Sequence, residues 1–118
     1  MNKQEFINSA LVHEINEDRV KEISELYKVQ LEEVIQKIIS IADEVDFFDE
    51  ERRMLSYDEI KSGSKLLGIN VVEEGMIPLI DAYDCNYIVY LIRDGSWAKY
   101  TTVDKMMFKK RNTLEEIL

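Results

Sequence analysis

The chain has 118 residues, 46% of them hydrophobic, and a formal net charge of −9 at pH 7. That length suits a single domain with one continuous core. The acid excess argues against surfaces for nucleic acid or anionic membranes and favours basic partners.

A single proline and four glycines leave no linker, so one domain over 1–118 is expected. The longest apolar run, 87–92, falls far short of the roughly 20 residues that cross a bilayer. No apolar segment follows the Met1-Asn2-Lys3-Gln4-Glu5 start, so a soluble, cytoplasmic protein is expected. Cys85 is the only cysteine, which excludes an internal disulfide and fits a reducing compartment.

In chain order, 3–10 forms one or two turns of helix anchored by Phe6 and Ile7. Asn16 reads as an N-cap, with Glu17 and Asp18 in the first turn where they favour the helix dipole. Val20, Ile23, Leu26 and Tyr27 recur at helical spacing and predict a helix over 17–27. Leu31, Val34, Ile35, Ile38, Ile39 and Ala42 then lie on one face of an amphipathic helix, a stripe suited to packing on a sheet.

Residues 43–51 read Asp43-Glu44-Val45-Asp46-Phe47-Phe48-Asp49-Glu50-Glu51, six acids in nine positions around two adjacent phenylalanines. One reading is a solvated loop whose rings tuck into the core. The other is an acidic loop that offers an aromatic anchor to a partner. The spacing lacks the glycine and the alternating ligands of a calcium loop.

Arg53-Met54-Leu55 reads as a short strand. Ser56 with Glu59 forms a capping box for a helix that runs to Leu67, irregular near Gly63 and stopped by Gly68. Residues 69–72 read as a strand or loop. Glu73-Glu74-Gly75 turns the chain into a strand over 76–80, at an edge or bulged because Pro78 has no N–H to donate. Residues 87–92 are apolar at every position, as in a central strand. Asp94-Gly95 reads as a two-residue hairpin turn. The return strand sets Trp97, Lys99 and Thr101 on one face and Ala98 and Tyr100 on the other. Residues 103–108 read as a strand or turn, and Lys109-Lys110-Arg111 as a solvated loop. Thr113 with Glu116 caps a last helix. The sum is an α+β pattern, with N-terminal helices on one face of a mainly antiparallel sheet and a short C-terminal helix.

The charge is unevenly spread. Residues 1–51 hold 14 acids and 5 bases, and residues 52–118 hold 10 of each. The whole excess therefore belongs to the helical half. No Gly-rich phosphate loop and no Gly-x-Ser-x-Gly elbow occurs. His13 and Cys85 are one of each, too few to close a zinc site. Asp81 and Asp84, three apart beside Asn86, could form a carboxylate pair or hold a divalent cation. Solvated acidic turns at strand ends are nonetheless common. No cofactor, metal or catalytic residue is expected.

Several blocks resemble the SUKH superfamily, the group that includes Syd and the yeast cell-wall regulator homologues. Ile23-Ser24-Glu25-Leu26-Tyr27-Lys28-Val29-Gln30-Leu31-Glu32 is similar to its opening helix, with Glu32 where the family often has proline. Arg53-Met54-Leu55-Ser56-Tyr57-Asp58-Glu59-Ile60 is similar to its first strand block. Met76-Ile77-Pro78-Leu79-Ile80-Asp81, the acidic turn, Asn86-Tyr87-Ile88-Val89-Tyr90-Leu91-Ile92 and Trp97-Ala98-Lys99-Tyr100 follow in the family's order. The family's acidic turn is often glycine-rich, whereas 81–86 contains no glycine.

The resemblance implies the same α+β architecture and a non-catalytic, protein-binding role. Many bacterial members are immunity proteins that neutralise a cognate toxin, often a nuclease with a basic cleft. Asp43, Glu44, Asp46, Phe48, Asp49, Glu50, Asp81 and Asp84 are then the candidate partner-binding residues. The alternatives are a general regulatory interaction module, a phage-encoded acidic inhibitor, or a small metal-dependent hydrolase using Asp81 and Asp84. Monomer and homodimer both stay open.

Overall fold

Three helices open the chain in the computed structural model, which describes residues 2–118: α1 (Lys3–Val12), α2 (Glu17–Tyr27) and α3 (Glu33–Ile41). Their starts are set by side chains that take orphan backbone donors. Asn2 accepts from the Glu5 N–H at 2.8 Å, and Asn16 from the Arg19 N–H at 3.2 Å. The cap at Asn16 and the span of α2 are those expected from the sequence. The C-terminus of α3 is closed from outside: the Arg19 guanidinium donates to the carbonyls of Ile39 at 3.2 Å and Ala42 at 2.6 Å. A cation there also suits the negative end of the helix dipole. The buried Ser40 hydroxyl accepts from the Asn16 N–H and donates to the Gln36 carbonyl, both at 2.7 Å, so α2 and α3 are stitched by polar groups as well as packing.

Five strands follow the helices: β1 (Arg53–Met54), β2 (Met76–Asp81), β3 (Asn86–Leu91), β4 (Ser96–Thr101) and β5 (Met106–Arg111). They form one antiparallel sheet in the order β1-β2-β3-β4-β5. β3 is the central strand, as its all-apolar sequence suggested. The β2–β3 register shifts between Pro78 and Ile80, a bulge where proline cannot join the ladder. The β3–β4 connection is longer than the Asp94-Gly95 pair implied. Leu91 pairs with Ser96, so 92–95 form a four-residue turn. Gly95 alone there has positive φ, +67°. A Cβ on it would also sit 2.9 Å from a Glu32 carboxylate oxygen.

Between β1 and β2 the expected single helix is two, α4 (Tyr57–Lys61) and α5 (Gly63–Leu67). Both arms of the Ser56–Glu59 capping box are present. The break falls beside Gly63, where a Cβ would lie 2.6 Å from the Tyr27 hydroxyl oxygen and 2.8 Å from Pro78 Cγ. Only glycine lets α5 come this near. Of residues 69–72, expected as strand or loop, Ile69 and Asn70 are loop, but Asn70 caps a single helical turn, α6 (Val71–Glu74), which Gly75 ends at φ +72°. Residues 109–111 are likewise not a loop but the second half of β5. After them Thr113 caps α7 (Leu114–Ile117), accepting from the Glu116 N–H at 3.2 Å.

One buried cluster joins helices to sheet and includes Ile35, Ile38 and Ile39 of α3 with Ile88, Tyr90 and Trp97. Leu31 and Ile35 are buried as expected, while Val34 is only half-buried. At the N-terminus of α3 the Glu32 carboxylate lies beside the Tyr90 hydroxyl. Burial first, and this hydrogen bond second, push the tyrosine pKa up. No helix among the described residues is long and apolar enough to cross a membrane.

Candidate functional site

Residues 47 and 48 lie on extended backbone beside β1, where Phe48 bridges Arg53 and the Met54 N–H donates to the Phe47 carbonyl at 2.9 Å. Successive side chains on extended backbone point to opposite sides. That alternation separates the two phenylalanines. Phe47 is 1% exposed and stacks on Phe6 with ring centroids 4.2 Å apart, whereas Phe48 is 66% exposed. One ring is therefore tucked into the core, as the first reading expected, and the other stands in solvent.

Asp49 holds the hairpin tip. Its Oδ1 accepts from the N–H groups of Glu51 at 2.8 Å and Arg52 at 2.9 Å, and its Oδ2 lies 3.5 Å from Arg52 Nη2. Its backbone N–H donates to the Arg52 carbonyl at 2.9 Å. The Arg52 guanidinium lies over the buried Phe47 ring, 5.5 Å from its centroid. Asp49 is thus tied to the hairpin backbone, while Glu50 beside it is exposed.

The β2–β3 turn meets this hairpin. Tyr83 stands edge-on to Phe48, with centroids 6.4 Å apart at 67°, and its hydroxyl donates to the Asp49 carbonyl at 3.2 Å. Phe48, Asp49, Glu50 and Tyr83 line a shallow hollow. A second hollow is lined by Phe48 with Asp46, Met54 and Leu55 among others. Tyr83, Asp84 and Cys85 all have left-handed backbone, φ 62°, 51° and 67°. Three consecutive non-glycine residues in this region are strained.

Arg53 braces the same corner. It grips Glu59 with both nitrogens, 2.9 and 2.8 Å, and reaches Asp81 Oδ2 at 3.2 Å. The Arg53 hydrogen bonds, followed by those from Ser56, hold the Glu59 carboxyl at about 2, while burial works against them. Asp81 also accepts from the Tyr83 N–H at 2.8 Å. Asp43, at φ 70°, accepts from the Tyr57 N–H at 3.1 Å and sits 3.9 Å from Arg19.

The eight sequence-predicted residues thus divide. Asp43, Asp49 and Asp81 are tied into the fold by the bonds above. Glu44, Asp46, Glu50 and Asp84 are exposed, with no ion pair or side-chain hydrogen bond among the described residues. Phe48 is exposed. Tyr83 and Arg53 were not singled out from the sequence. Tyr83 was legible as an aromatic residue in a short acidic turn; Arg53 carried no signal beyond its strand. Among the described residues no three His, Cys, Asp or Glu side chains are grouped to hold a metal ion.

Comparison with family models, with curated proteins and with solved structures gives no match.

Proposed function

We propose that this is a non-catalytic protein-binding domain that docks a basic partner on the corner formed by the 43–51 hairpin and the 81–86 turn. On the resemblance noted above, the partner is a cognate toxin, and binding neutralises it. The observation that carries the reading is Phe48: a large apolar ring, 66% exposed, fixed edge-on to Tyr83 and sharing its two segments with the free carboxylates of Asp46, Glu50 and Asp84. An aromatic anchor within a charged rim is a frequent form of binding hot spot. The strained turn that carries Tyr83 is a further mark of a functional segment. The acid excess would steer a basic cleft toward this corner.

The test is to look for a toxin gene beside this one and to measure association kinetics with its product. The on-rate is expected to fall as salt rises, because screening shortens to about 3 Å at 1 M. Asp46→Ser with Glu50→Ser should mainly slow association. Asp49 is left intact because it holds the hairpin tip. Phe48→Ala should mainly speed dissociation, by about 30-fold for a hot spot of about 2 kcal/mol. Salt-independent association that none of these changes alters would sink the proposal. Hydrolytic turnover by the purified protein, lost in Asp84→Asn, would move the protein to the hydrolase alternative.

A further inference from the structure

β5 ends the strand order, so its outer backbone edge pairs with no other strand among the described residues. Soluble proteins usually blunt such an edge with lysines, proline or a bulge. Here only half of the strand is blunted. The second half carries Lys109, Lys110 and Arg111, and the β4–β5 register shifts there, with Lys109 at φ 53°. The first half carries Met106, Met107 and Phe108, which are 55%, 46% and 42% exposed. Val103, in the turn before it, is exposed too.

We propose that this edge pairs antiparallel with β5 of a second copy of the chain, making one continuous sheet across two molecules. The order of side chains along the segment supports that occupant. It runs from an offsetting pair (Asp104, Lys105) through apolar (106–108) to basic (109–111). Two such segments side by side in parallel would set the basic residues against each other, which destabilises a strand pair. Head to tail, with Met106 opposite Arg111, Met107 opposite Lys110 and Phe108 opposite Lys109, the basic half of each faces the apolar half of the other, and Lys105 faces Asn112. Lysine and arginine stems can then cover methionine and phenylalanine while their charges stay in water. Two clefts on one face of the sheet border β5 and could take every second side chain of an added strand. One is lined by Leu91, Ala98 and Met107, the other by Ile69, Met76 and Tyr100, among others. The acid excess is no obstacle at this contact, since residues 52–118 balance 10 acids with 10 bases.

Sedimentation of the full chain from low to high micromolar concentration tests this pairing. The mass is expected to rise from one chain to two, and amides of β5 should exchange more slowly in the two-chain form. Met107→Lys and Phe108→Lys each place a charge opposite the basic half of the other strand, and should weaken association by about tenfold or more. Both side chains are exposed, so thermal unfolding of the dilute variants should match the parent. A one-chain mass throughout, or self-association equally strong in both variants, overturns the proposal. Slowed exchange in β5 only when the toxin of the proposed function is added would assign the edge to that partner, and overturns it as well.

Discussion

At one border of the sheet, β1 is two residues long and overlaid by the 47–48 bridge, and its Arg53 is paired with Glu59 and Asp81. At the other border, β5 is six residues long, exposed along its whole length and apolar in its first half. The first border is closed by folding chain over it. The second is guarded at one end, by cations and a register shift. A closed edge can present side chains without offering its backbone, which suits recognition of a differently shaped partner. An open edge offers the backbone itself, which any extended segment can read. The two borders thus propose two kinds of contact on one small protein.

The sharpest way to break this contrast is to unfasten the closed border. Phe47→Ala removes the ring stacked on Phe6 and is expected to lower stability by about 3–5 kcal/mol, read from urea unfolding. A loss near zero would show that the hairpin is not anchored in the core. Gly63→Ala drives a Cβ into Tyr27 and Pro78, and should cost about 1–3 kcal/mol, with a matching fall in melting temperature.

Arg53→Ala frees Glu59 and Asp81 together. The loss should be about 1–2 kcal/mol, between the values for an exposed ion pair and a charged hydrogen bond. It also has a pH signature. The Glu59 carboxyl sits at about 2 in the folded chain, below its ordinary value of 4.5. A depressed acid contributes stability that is full above its unfolded pKa and fades as pH falls toward the folded one. The parent should therefore lose the Arg53–Glu59 contribution between about pH 4.5 and pH 2, and Arg53→Ala should lose less over that range. Parallel acid-unfolding curves for the two proteins would refute the assignment. The smallest effects belong to the exposed rings. Phe48→Ala and Phe108→Lys should each shift monomer stability by no more than about 0.5 kcal/mol, so that their consequences appear only in binding.

What the sequence disclosed follows the range of the forces involved. Caps at Asn16, Ser56 and Thr113, the stop at Gly68 and the irregularity at Pro78 depend on chemistry within a few residues, and all were legible. The turn over 71–74 was missed, although Asn70, the two glutamates and Gly75 spell a capped helical turn. The apolar run that contains Val71 and Val72 masked it. Residues 109–111 were read as a loop because they are charged, yet an edge strand facing water tolerates lysine. The candidate site was legible as a composition, six acids around two rings. Which ring faces out depends on the bridge to Arg53, a contact no local pattern carries. The same holds for the pairing of Asp81 with Arg53, 28 positions away in the chain.

The order of the sheet also bears on how the molecule is made. Synthesis delivers α1, α2 and α3 first, but the strands that share their core, β3 and β4, arrive only with the last third of the chain. Until then Ile35, Ile38 and Ile39 have no sheet to cover them, and nascent chains in that state are prone to aggregate. The helical half carries the entire net charge of −9, and mutual repulsion between unfinished copies would keep them apart while they wait. A fragment ending at Gly75 is accordingly expected to bind a hydrophobic dye more strongly than the whole chain, and to precipitate once salt screens its acids.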